Sequence, residues 1–140
     1  MSAMTCFICL INCSRNQTPK PSNTHLRFSA RLLARAEIGD IQGWVAAHSV
    51  TTLFYMIAKD KSPGQARVAI TSLLQFLRIA PNDQNTIEKA LNLPYRDFED
   101  AVQMIAALQI QADYLLTRNV KDYQPAPLAV LQPAELLAIL

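Results

Sequence analysis

Short apolar runs alternate with amphipathic stretches along this chain, and polar or proline-bearing breaks separate them. Thr5 to Ile11 is a continuous apolar run of strand length, closed by Asn12-Cys-Ser-Arg-Asn-Gln17 and by Pro19-Lys-Pro21. Ser22 and Asn23 are suited to cap a helix that carries Leu26, Ala30, Leu33 and Ala34 on one face and stops at Gly39-Asp40. Gly43 to Ala47 reads as a second strand. Ser49, Thr51 and Thr52 follow as helix caps, with Leu53, Phe54, Tyr55 and Ile57 turned to a core. Ser62-Pro63 places a cap before a first-turn proline, starting a helix that runs to about Phe76. Leu77 to Ala80 is a third strand and Asp83 to Asn92 a short helix. A helix beginning near Asp97 continues to about Ile110, Tyr114 to Thr117 and Leu128 to Leu131 are strands four and five, and Pro133 opens a terminal helix. Strands alternating with helices at this pitch predict a three-layer α/β/α domain around a parallel, roughly five-stranded sheet, occupying residues 1–140 as one unit.

Composition agrees with one packed domain. With 140 residues, 51% of them hydrophobic, the chain has enough apolar side chain for a full core, and three Gly with 17% charged residues argue against disorder. The net charge of +2 comes from Lys and Arg scattered along the chain, so charge alone does not predict nucleic-acid binding. Cys6, Cys9 and Cys13 supply three sulfur ligands at best where a structural zinc needs four, which leaves reduced thiols and a cytoplasmic protein as the expectation. The apolar segment Ala3 to Ile11 is far shorter than the roughly 20 residues that cross a bilayer, and no Lys or Arg precedes it as a signal peptide requires.

Chemistry concentrates at one predicted rim. In an open parallel sheet, loops and helix N-termini converge outside the carboxyl ends of the strands. That rim receives Asn12, then Ser49 and Thr52, then Asp97, Glu99 and Asp100, and finally Asn119 and Asp122. Neighbouring carboxylates repel unless protonated or bridged by a cation, and hard oxygen donors suit Mg²⁺ or Mn²⁺. A metal so held activates water for in-line attack on a phosphodiester. Capping is the competing reading of the same residues: Asp97 is a good N-cap, and Glu99 and Asp100 favour the helix dipole without a metal. Ser49 and Thr52 read as caps in preference to nucleophiles, Asp122 also suits an ordinary turn, and Arg118 stands where a cation suits a phosphate.

From about Ser29 to Leu140 the chain resembles the PIN domain family, metal-dependent ribonucleases that include the toxins of many toxin and antitoxin pairs. The resemblance rests on Val45-Ala-Ala-His-Ser-Val-Thr-Thr-Leu-Phe-Tyr55, Asp97-Phe-Glu-Asp-Ala-Val-Gln103, Ala112-Asp-Tyr-Leu-Leu-Thr-Arg-Asn-Val-Lys-Asp-Tyr123 and Val130-Leu-Gln-Pro-Ala-Glu-Leu-Leu137. It implies an endoribonuclease using Mg²⁺ or Mn²⁺, with Asp100 as principal metal ligand and Asp122, Asp97 and Asn12 as further ligands. Ser49, Thr52 and Asn119 are implied to orient water or phosphate. It also implies RNA as substrate, an antitoxin protein as partner and a homodimer. Three positions depart from the family pattern: Asn12 stands where strand one delivers Asp, Phe54-Tyr55 where the second helix offers Glu, and Asn119 where the turn has its first acid. Residues 1–28 diverge from that pattern as a block, as an exchanged reading frame upstream of Ser29 would make them. The rival expectation is a catalytically degenerate PIN fold that binds protein or RNA.

Overall fold

The computed structural model describes residues 3–9 and 23–140, with the side chains of 23–29 left aside. Five strands form one parallel sheet: β1 (Met4–Ile8), β2 (Ile41–Ala46), β3 (Leu77–Ala80), β4 (Tyr114–Leu116) and β5 (Val130–Leu131), in the spatial order β3-β2-β1-β4-β5. Six helices cover it: α1 (Asn23–Glu37), α2 (Ala47–Asp60), α3 (Pro63–Leu73), α4 (Gln84–Leu91), α5 (Phe98–Gln109) and α6 (Pro133–Ile139). The α/β class, the parallel pairing and the five strands all match the sequence expectation. The divergent N-terminal segment supplies the central strand, because Thr5 to Ile8 satisfies what that position demands: apolar side chains on both faces.

Alternation along the strands splits the core into two layers. Cys6 and Ile8, Ile41 and Val45, and Leu116 join Leu32, Ala36 and Leu136 on one face, beneath α1, α2, α3 and α6. Phe7, Ala46, Ala80 and Leu115 join Met104, Ala106, Ala107 and Tyr123 on the other, beneath α5 and its flanking loops. Gly43 belongs to the first face, where a Cβ would come within 2.6 Å of Leu77 Cδ2 and 3.1 Å of Ile8 Cδ1. The absent side chain is what lets β2 seat α1 and β3 closely.

Elements differ from their expected bounds where local signals compete with tertiary packing. β5 has only two residues, Val130 and Leu131, paired with Leu115 and Leu116, and β1 runs to Ile8, while Leu10 and Ile11 of the expected first strand lie outside the described residues. α3 stops at Leu73, and a tight turn of Gln75 and Phe76 amides onto Ser72 and Leu73 carbonyls precedes β3. Ser62 does cap α3, accepting the Gln65 N–H at 3.1 Å, and Asp83 caps α4 in a reciprocal box with Thr86. Ser49, Thr51 and Thr52 are not caps. α2 begins two residues earlier than Ser49, with Ala46 at the N-cap and no side-chain cap. The strand simply continues into the helix, which draws the three hydroxyls into its first two turns. Among the described residues, no helix is long and apolar enough to cross a membrane.

Candidate metal centre

Strand order places the site. From β1 the chain proceeds outward through β2 and β3, then returns to the other side of β1 with β4, so loops diverge between the carboxyl ends of β1 and β4. Such a switch point is where open parallel sheets leave a crevice for ligands. Cys9 N–H bonds the Leu116 carbonyl at 2.9 Å and stitches the two strand ends together. Directly beyond β4, buried Thr117 accepts the Asn119 N–H through Oγ1 at 3.2 Å. A single 3₁₀ turn, Val120–Asp122, then carries Asp122 outward and sends Tyr123 back into the core.

α5 aims its N-terminus at the same crevice. Asp97 is its N-cap and accepts the Glu99 N–H at 2.9 Å, so the capping reading of Asp97 holds. Glu99 and Asp100 follow in the first turn. Asp100 is half-buried, and its carboxyl is pushed up to about 6 by burial foremost. The Tyr123 phenol donates to its Oδ1 at 3.1 Å and draws the value down, while the negative charges of Asp97, Asp122 and Glu99 add to the rise. Among the described residues, no Lys or Arg contributes an offsetting attraction. Asp122, more than twenty residues from Asp97 and Asp100 in sequence, thus stands with them within electrostatic reach of Asp100.

Tyr123 is the residue that sequence reasoning left unassigned. It is 1% exposed, packs edge-on against Tyr95 with ring centroids 5.9 Å apart, and reaches both Asp100 and Cys9 Sγ, the latter at 3.9 Å. Burial and the neighbouring acids hold its phenol well above the usual range, so it acts as a hydrogen-bond donor and stays neutral. The one available signal was an aromatic residue immediately after a polar turn, at the point where the chain re-enters the core.

The remaining candidates are distributed unequally. Thr52 Oγ1 donates to the His48 carbonyl at 3.1 Å, and Thr51 Oγ1 to the same oxygen at 2.8 Å, which commits both hydroxyls to the helix. Ser49 is 2% exposed and makes no such bond. His48, at the carboxyl end of β2, lies 2.9 Å through Nδ1 from Asn82 Nδ2 at the end of β3. The register Ala46↔Ala80 brings those two ends level. Burial lowers the His48 pKa against a weaker upward pull from the Glu99 charge. Trp44 is only partly buried, with the Arg78 guanidinium 5.8 Å from its ring centre. Asn12 lies outside the described residues.

A hard divalent cation fits these donors in kind, since carboxylate oxygens and an uncompensated negative field are what such an ion prefers. In number the set is open. Among the described residues, no three His, Cys, Asp or Glu side chains converge closely enough to hold one ion.

Comparison with known proteins adds two findings. A family model described as PIN domain matches residues 19–121, beginning ahead of Ser29. Among solved structures, a chain of the "Crystal structure of VapBC2 from Rickettsia felis bound to a DNA fragment from their promoter" superposes with a TM-score of 0.58 at 15% identity, covering 92% of this chain and 98% of that one. No curated protein matches.

Proposed function

The chain belongs to the PIN domain family, whose members generally depend on a divalent metal, and from that premise we propose that it is a Mg²⁺- or Mn²⁺-dependent endoribonuclease that hydrolyses RNA phosphodiesters. Asp100 is the principal ligand, with Asp122 and Asp97 in support. The observation carrying this reading is the charge around Asp100: a half-buried carboxyl raised to about 6 by burial foremost and by the charges of Asp97, Asp122 and Glu99, with no basic side chain in compensation among the described residues. A bound divalent ion supplies a water of lowered pKa and positive charge for the phosphate oxygens.

The chain's own groups prepare that chemistry. Tyr123 fixes one Asp100 oxygen by its 3.1 Å hydrogen bond and leaves the other for a cation. The Asp97 cap anchors one of its oxygens to the Glu99 amide, which holds the carboxylate at the helix end. Asn119, presented by the turn after β4, orients water or phosphate with a neutral amide. An antitoxin-like protein partner is suggested by the VapBC2 neighbour, and self-pairing by the exposed Tyr55 and Met56 on α2.

The test is direct. Purified protein with Mn²⁺ cleaves single-stranded RNA, and Asp100→Asn loses both cleavage and Mn²⁺ binding by calorimetry. Absence of cleavage together with an indifferent Asp100→Asn ends the proposal. One observation favours the second reading, a degenerate PIN fold acting as a binding module: among the described residues, no three His, Cys, Asp or Glu side chains converge on one ion. On that reading the same calorimetric titration gives no heat beyond dilution.

A further inference from the structure

Four side-chain atoms that are sealed from solvent have no hydrogen-bond partner among the described residues: Trp44 Nε1, His48 Nε2, Asn82 Oδ1 and Gln103 Oε1. A buried polar group in that condition is costly, and native interiors rarely tolerate one. These four belong to one region. Trp44 packs on the layer that contains Ala46, Ala80 and Met104, and His48 and Asn82 meet at 2.9 Å just beyond the carboxyl ends of β2 and β3.

α5 brings the fourth atom. This helix starts at the carboxyl rim and runs back toward Tyr114, where β4 begins, so its direction opposes that of the strands. Glu99 in its first turn is near enough for its charge to act on His48. Gln103 follows one turn deeper on the same side of the helix, next in sequence to Met104 of the layer on which Trp44 packs, and is 2% exposed.

The hydrogen-bonding capacities of the four are complementary. Trp44 Nε1 can only donate and Gln103 Oε1 can only accept. In the contact between Asn82 and His48 the amide nitrogen donates to Nδ1, which puts the imidazole proton on Nε2 and leaves Asn82 Oδ1 as an acceptor. Turning the Asn82 amide over exchanges those two roles, and the count stays at two donors and two acceptors. A water molecule gives and accepts up to about four hydrogen bonds in all, and it is the one common ligand small enough to reach atoms so enclosed.

We infer that Trp44, His48, Asn82 and Gln103 form an internal water site, in which a buried water molecule bridges the carboxyl ends of β2 and β3 to the second turn of α5. The bridge fastens α5 to the sheet without metal or RNA, and it does not rest on the nuclease reading. Trp44 is the single tryptophan of the chain, so its indole N–H reports on the site without ambiguity. In water-to-protein NOE spectra of the metal-free protein at neutral pH, that N–H shows the cross-peak of a long-lived water, and Gln103→Met, which keeps the side-chain volume and removes the acceptor, loses it. An indole N–H without a water cross-peak overturns the site. So does a cross-peak that Gln103→Met leaves unchanged, since the two groups then share no water. Crystals of the unaltered protein give the same answer independently of how the variant folds: a water within about 3.2 Å of both Trp44 Nε1 and Gln103 Oε1 supports the site, and direct bonding of these atoms to protein groups refutes it.

Discussion

Asp100 shows how one side chain records the character of its surroundings. Because its folded-state carboxyl titrates near 6 instead of 3.8, the folded protein holds that proton more tightly than the unfolded chain does. Stability from this group is therefore greatest below the ordinary value and falls as pH rises from about 3.8 to about 6. Thermal melts across that interval give a declining midpoint, and Asp100→Asn flattens the contribution and melts higher than wild type at neutral pH. Tyr123→Phe removes the hydrogen bond that draws Asp100 down, so the carboxyl titration followed by NMR moves further upward in that variant. A downward movement would mean that the phenol is not what stabilises the carboxylate. Gly43 carries a different kind of information: Gly43→Ala forces Leu77 or Ile8 to shift and costs about 1–3 kcal/mol in urea unfolding.

Helix ends decide much of what the elements do. α3 and α4 close their N-termini with Ser62 and Asp83, side chains that serve the helix and nothing else. Ser62→Ala removes the bond to the Gln65 amide and lowers stability by about 1 kcal/mol, measurable by urea unfolding with no change in metal or RNA binding. α5 combines a cap with acids whose charge exceeds what capping needs, and α2 has neither cap nor acid. Of these four helices, α5 is capped and acidic at its N-terminus and α2 is uncapped. α6, short as it is, seats Leu136 fully against α1 and the sheet. Leu136→Ala consequently destabilises the protein by about 2–5 kcal/mol and, since Leu136 packs on the opposite face of the sheet from α5 and Tyr123, leaves Mn²⁺ affinity unchanged in the fraction that remains folded.

For the whole molecule, the order β3-β2-β1-β4-β5 is what converts scattered residues into a site. Had β4 continued outward beyond β3, Asp122 and Tyr123 would stand at the sheet's far edge with no crevice to enter. Placed beside β1, β4 delivers them to α5's first turn. Occupancy of that rim by a divalent ion relieves the mutual repulsion of Asp97, Asp100 and Asp122 and stabilises the folded state in proportion to the logarithm of ion concentration. Mn²⁺ therefore raises the melting temperature of wild type at neutral pH and leaves Asp100→Asn unmoved. A midpoint indifferent to Mn²⁺ in wild type would support the degenerate reading.

The chain's own pattern determined the class of fold, since continuous apolar runs at strand length demand burial on both faces and amphipathic stretches between them supply the cover. It also marked Asp97, Glu99, Asp100 and Asp122, because acids at a helix start and in a strand-ending turn are conspicuous in one dimension. What it could not express was which strands lie side by side, and so which of these acids share a field. Tyr123 was invisible for that reason: its role arises only when burial brings a phenol to Asp100 from 23 positions away. The caps failed similarly, for Ser49, Thr51 and Thr52 look identical to a start signal until β2 is seen to run into α2 without a break. Local preference fixes what each segment can be, and only packing in three dimensions decides which polar groups are satisfied and which remain available to a ligand.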